Sequence, residues 1–119
     1  AQFDAIKKLA SEGPCVMVGR CADYALAEYK DCFSVFVHAD TDWRINRLSQ
    51  KHNKTAKEAK DMINKTDKSR SSYYNYYTNK KWGAASSYNL CVDSSKLGID
   101  GAAKAIIQAI EIFDSIKNK

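Results

Sequence analysis

The chain has one proline, Pro14, and only five glycines in 119 residues. That scarcity excludes collagen-like and low-complexity architectures, weighs against an all-β fold dense in tight turns, and leaves long helices joined by few sharp bends. Long apolar runs are also lacking, so no membrane span is expected. Cys15, Cys21, Cys32 and Cys91 show no CxxC spacing, and three of them lie in or beside apolar runs where a thiol packs as a small hydrophobe. Reduced thiols in a cytoplasmic protein are the expectation. No metal site is expected either, because zinc held with His38 or His52 would need ligands from four separate segments. The opening Ala1-Gln2-Phe3-Asp4 carries no basic-then-apolar leader or cleavage site, so no targeting signal is expected. Leu, Ile, Val and Phe number 23, near the level of disordered chains, yet seven Tyr, two Trp and strand-like runs argue for a packed but thin core.

Positive charge is present, and it is concentrated. Residues 44–81 hold 11 Lys and Arg against 3 Asp and Glu, while the remainder holds 8 against 11. A basic region of this kind attracts phosphate, whether on a nucleotide, a nucleic acid or an anionic surface.

The hydrophobic pattern alternates between helix and strand. Phe3, Ile6 and Leu9 mark an amphipathic helix over 2–12 that Gly13-Pro14 stops. Cys15-Val16-Met17-Val18 is a continuous apolar run, as in a strand buried on both faces of a parallel sheet. A short helix over 21–29, a second buried strand over 32–38 and a helix starting at Thr41 follow. Thr55-x-x-Glu58 is a capping box opening another helix, which runs towards Tyr77. Residues 88–93 read as a third strand and Ser94 to Gly98 as a loop, and Ala103, Ile106, Ile107, Ile110 and Phe113 form the inner stripe of a closing helix. The fold class is α/β with a mostly parallel sheet, in which ligands sit at the carboxyl ends of strands. Arg20 with Asp23, Asp40, and Asp93 with Ser94 to Lys96 stand just past those ends.

Arg20 is placed to fork onto a phosphate, or to pair structurally with Asp23. Arg44 and Arg47, together on one helix face, either grip successive phosphates or form a solvated face. Asp67 and Arg70 have the spacing of a surface ion pair. The run Tyr73-Tyr74-Asn75-Tyr76-Tyr77 fits packing on the domain better than stacking on a base, and His38 reads as packed rather than as a base.

Taken together, Gly13-Pro14-Cys15-Val16-Met17-Val18-Gly19-Arg20-Cys21-Ala22-Asp23-Tyr24, Val35 to Asp40, Arg44-x-x-Arg47, Asp67-Lys68-x-Arg70 with Tyr73-Tyr74, Lys81-Trp82-Gly83 and Tyr88 to Ser95 resemble the cytidylate-kinase-like family of P-loop nucleoside monophosphate kinases. The likeness covers essentially the whole chain. It implies a three-layer P-loop kinase-like fold with a parallel sheet, and transfer of the ATP γ-phosphoryl group to a nucleoside monophosphate, typically CMP or dCMP, with Mg²⁺. By the same resemblance Arg44, Arg47 and Arg70 are the catalytic arginines of a helical lid over 41–81. Arg20, Asp23 and Asp67 bind the acceptor, although Cys21 stands where true cytidylate kinases place an Asp. Ser94, Ser95 and Lys96 wrap the ATP adenine, largely through backbone.

A glycine-rich phosphate loop after a first strand is missing from Ala1 to Lys119. The chain therefore reads as residues 1–119 of the C-terminal part of one kinase-like domain, incomplete because its first strands and phosphate loop are absent, and inactive alone. The family's strand order puts the missing first strand between 15–18 and 32–37. An N-terminal segment or a second copy of the chain is expected to complete the sheet. The rival expectation is a non-catalytic nucleic-acid or anion-binding module that uses the basic 44–81 region.

Overall fold

A computed structural model describes residues 2–19, 21–29 and 31–117. In chain order these form α1 (Gln2–Ser11), α2 (Ala22–Ala25), β1 (Val35–His38), α3 (Thr41–His52), α4 (Ala56–Tyr77), a 3-10 turn (Ala85–Ser87), β2 (Leu90–Asp93) and α5 (Ser94–Lys117). The architecture is mixed helix and strand, consistent with the α/β class.

β1 and β2 form a parallel pair in which Val35 faces Leu90 and His38 faces Asp93. The α3–α4 hairpin supplies the long crossover that parallel pairing requires. The register is set just before the strands. There the Asn89 side-chain oxygen accepts from Ser34 N at 2.8 Å and from Ser34 Oγ at 2.9 Å. One edge of each strand is unpaired among the described residues.

Two helix starts follow their capping residues. Asp40 caps α3 by accepting from Trp43 N at 3.2 Å. Thr55 and Glu58 close the expected reciprocal box at α4. The helix then continues without a break to Tyr77, where Thr78 Oγ1 donates to Tyr74 O at 2.8 Å.

Three expectations need correction. Cys15 to Val18 does not form a strand: no described residue pairs with it, and Val16 and Val18 are 93% and 89% exposed. An apolar run becomes a strand only through its neighbours' hydrogen bonds, and here it has none. Ser94 to Gly98 is not a loop. The Asp93 carboxylate accepts from Ser95 N, Ser95 Oγ and Lys96 N, which starts a helical turn, and Gly98 then kinks it at φ 75°. Finally, α5 turns Ala102, Ile106 and Phe113 inward, whereas Ala103, Ile107 and Ile110, assigned to the inner stripe, are exposed.

The core is thin. Its buried apolar side chains include Ile6, Leu26, Ile63, Tyr74, Val92 and Ala102. The radius of gyration is 16.0 Å, against about 13.5 Å for a compact domain of this length.

Candidate functional site

The carboxyl ends of β1 and β2, where chemistry was expected, are tied together by their own side chains. Ser94 Oγ donates to His38 O at 3.2 Å, and Ser95 Oγ accepts from Asp40 N at 3.0 Å. The Ser95 and Lys96 amides donate to Asp93, and Lys96 itself is exposed. These hydrogen bonds also hold the Asp93 carboxyl below the usual carboxylate range. His38 is exposed, its ring stacked on Phe36, rather than packed inside.

Above these strand ends stands the α3–α4 hairpin, and its charged residues divide into three roles. Arg44 makes a bidentate pair with Asp67, at 2.9 and 2.8 Å, and thereby fastens α3 to α4. Arg47 is exposed and lies over the Trp43 ring at 5.7 Å. Arg70 is exposed and has no ion-pair partner among the described residues. The surface pair suggested by the Asp67–Arg70 spacing is therefore not formed, because Asp67 is already held by Arg44. Helical periodicity puts Arg70 on the same stripe of α4 as Ile63, Asp67 and Tyr74. Ile63 and Tyr74 are buried, whereas Arg70 between them on that stripe is exposed.

Asp23 is the third element. Its Oδ2 accepts from the Tyr74 hydroxyl at 2.7 Å. It also lines a cleft of about 200 Å³ with Lys80, Ser34, Tyr88 and Asn89. That cleft lies at the amino ends of the strands, away from His38 and Asp93. Arg20 lies outside the described residues. Burial pushes the Tyr88 phenol up, and burial with nearby Asp23 does the same to the Cys21 and Cys32 thiols, so these groups stay protonated. All four cysteines are free.

Comparison with known proteins bears on what these arginines serve. Residues 1–96 match the cytidylate kinase-like family, which takes in the strand ends, the hairpin and the Asp23 turn. The chain belongs to that family. A solved structure of an uncharacterized protein from Eubacterium ventriosum is similar at 33% identity and a TM-score of 0.88, over 92% of this chain and 62% of that one. This cytidylate kinase-like chain thus spans only part of that protein's length. No curated protein matches it.

Two contacts of this family member escaped sequence reasoning. Asp67 had a visible signal, since it falls on the inward stripe of α4 where a partner from α3 would be needed. The Tyr74–Asp23 bond joins residues 51 positions apart, and no spacing rule reaches that far. Among the described residues no cluster of acidic, His or Cys side chains would hold a metal. Asp40 and Asp93 are both engaged as caps, so no residue here is assigned to direct Mg²⁺ coordination. No described helix is long and apolar enough to cross a membrane.

Proposed function

We propose that the intact protein, acting in the cytoplasm, transfers the γ-phosphoryl group of ATP to a nucleoside monophosphate, CMP or dCMP by preference. The observation that carries this reading is Arg70: an exposed guanidinium with no ion-pair partner among the described residues, on the stripe of a lid helix between one carboxylate neutralised by Arg44 and one tyrosine bonded to Asp23. Phosphoryl transfer needs little covalent help from a protein, and its main requirement is positive charge placed on crowded oxygens. Arg70 and Arg47 supply that charge. Arg44 acts by fastening the hairpin that carries them, and Arg20 with Asp23 meets the acceptor. Ser94 to Lys96 lie beside the ATP adenine as a helical turn. Mg²⁺, when bound, supplies charge neutralisation through the nucleotide phosphates. An N-terminal segment, or a second copy of the chain, provides the phosphate loop and covers the open sheet edge. The exposure of Val16 and Val18 supports this completion.

Calorimetry of the full-length protein with CMP, and with a non-hydrolysable ATP analogue plus Mg²⁺, tests the reading. Saturable binding of both is expected, and binding of neither overturns it. A second reading, an anion-binding module for single-stranded nucleic acid, is favoured by one observation: Tyr76 and Tyr77, 81% and 50% exposed, stand beside the basic hairpin as stacking surfaces. Its signature is affinity for oligonucleotides that falls steeply with salt.

A further inference from the structure

Nothing in the motifs accounts for the bond between Tyr74 and Asp23. Tyr74 is 5% exposed, and its burial together with the carboxylate pushes the phenol well above its ordinary range, so it remains a donor at working pH. Its ring lies 6.1 Å from that of Tyr88, which in turn stacks 4.8 Å from Phe36 of β1. The backbone carbonyl of Tyr74 accepts both the amide and the hydroxyl of buried Thr78. The phenol is thus fixed at its ring and its backbone, and its hydroxyl donates to Asp23. Among the described residues only Oδ2 of Asp23 is held. Oδ1 has no hydrogen-bond partner among the described residues, and Asp23 borders the cleft that Lys80, Ser34, Tyr88 and Asn89 complete.

We propose that Tyr74 is a positioning residue. By holding one oxygen of Asp23 it turns the other towards the acceptor nucleoside, and it couples that orientation to the lid helix carrying Arg70 one turn earlier. This inference rests on the proposed phosphoryl transfer. A carboxylate oxygen with a free lone pair recognises a hydroxyl or amino group of the acceptor. Its direction matters because a donor misplaced by an ångström loses much of the bond. The coupling also makes acceptor recognition and lid placement one event.

The test uses the full-length protein with Tyr74→Phe, which keeps the ring on Tyr88 and removes only the hydroxyl. Loss of a hydrogen bond to a charged group should raise KM for the acceptor about tenfold, with KM for ATP held within about twofold. Asp23→Asn added to Tyr74→Phe should bring no loss beyond the more severe single variant. Wild-type kinetics in Tyr74→Phe would overturn the proposal. So would an equal rise in both KM values, which marks a general loosening. Amide hydrogen exchange gives a readout independent of turnover. Residues 21–29 should exchange faster in Tyr74→Phe while 35–38 and 90–93 keep their protection, and unchanged exchange at 21–29 would overturn the latch. If the wild type neither binds nor phosphorylates a mononucleotide, the functional reading fails, and the exchange comparison still decides whether Tyr74 holds the turn.

Discussion

Between Val35 and Lys117 the elements are fastened by named side chains. Thr55 and Glu58 cap α4 reciprocally, Asp40 caps α3, Asp93 starts α5, and Arg44 and Asp67 join the hairpin. Residues 2–34 are held differently. Ile6, Ala25 and Leu26 form a small buried cluster with Phe3, Ala10 and Met17 around it. Ties to the rest come through Asp23 to Tyr74, Asp31 to Lys117, Phe33 to Phe113 and Ser34 to Asn89. The contrast teaches that local encoding by caps and helix faces yields a self-consistent hairpin and sheet pair, whereas a run such as 15–18, whose structure depends on strand neighbours, is left without one. It also predicts that function and stability separate in the first region named and not in the second.

The largest expected effect is on turnover. Arg70→Ala should lower phosphoryl transfer by the full-length protein about 10³-fold while its stability changes by less than about 0.5 kcal/mol, because the side chain is exposed and has no ion-pair partner among the described residues. Arg44→Ala should behave in the opposite sense, losing stability first. Equal catalytic losses without a stability difference would break the division of roles drawn for the hairpin.

Next comes packing. Ile63 is 4% exposed, and Ile63→Ala should cost about 3 kcal/mol in a denaturant titration. Ile6→Ala makes the same chemical change in the cluster of residues 2–34, where Ile6 is 7% exposed and its neighbours Phe3, Ala10 and Met17 are only partly buried, and should cost less. An equal or larger cost at Ile6 would show the two regions to be equally well packed.

The Arg44–Asp67 pair should be worth about 1 kcal/mol, since both side chains remain roughly one third exposed and solvent screens them. Removing either partner should give the same loss. That loss should shrink in high salt, and the charge-reversed double variant should recover part of it.

Acid should act on the junction between β2 and α5. The folded pKa of Asp93 is lowered, first of all by the Ser95 hydroxyl. Its contribution is therefore present in full above the unfolded value of about 3.9 and is lost as the pH falls through the lower folded value. Asp93→Asn should lower stability at neutral pH and flatten the profile below about pH 4, where the variant and the wild type converge.

What was legible in the sequence follows the same division. The Thr55 box, the helix starting at Thr41 and the apolar cores of β1 and β2 are local patterns of about one helical turn or one strand, and each was readable, whereas the Ser, Asn and Lys that follow Arg70 left the end of α4 open. The helical turn after Asp93 was missed because Ser-Ser-Lys-Leu-Gly looks like a loop until Asp93 is seen as its cap. On α5, apolar residues cover more than one face, so composition could not choose between Ile106 and Ile107. Within the candidate site the sequence offered the three arginines and the carboxylates at 23 and 67 as candidates, but it gave no sign of how they pair. Arg44 with Asp67 and Asp23 with Tyr74 are decided by how α3, α4 and α2 meet, and periodicity within one element carries no information on that.

The smallest expected effect is also the sharpest test of the contrast. Val16 and Val18 are 93% and 89% exposed, so in the 119-residue chain Val16→Ser or Val18→Ser should change stability by less than about 0.5 kcal/mol, as at any exposed site. A loss above about 1 kcal/mol there would mean that the segment is packed after all. In the full-length protein the outcome should differ. A strand completed on both sides would bury each valine, and covering such a side chain contributes about 1.5–3 kcal/mol. A valine that is silent in the short chain and costly in the long one would locate the missing sheet neighbour beside residues 15–18. Silence in both would remove the proposed completion of the sheet while leaving the hairpin, its arginines and the Asp23 turn as they stand.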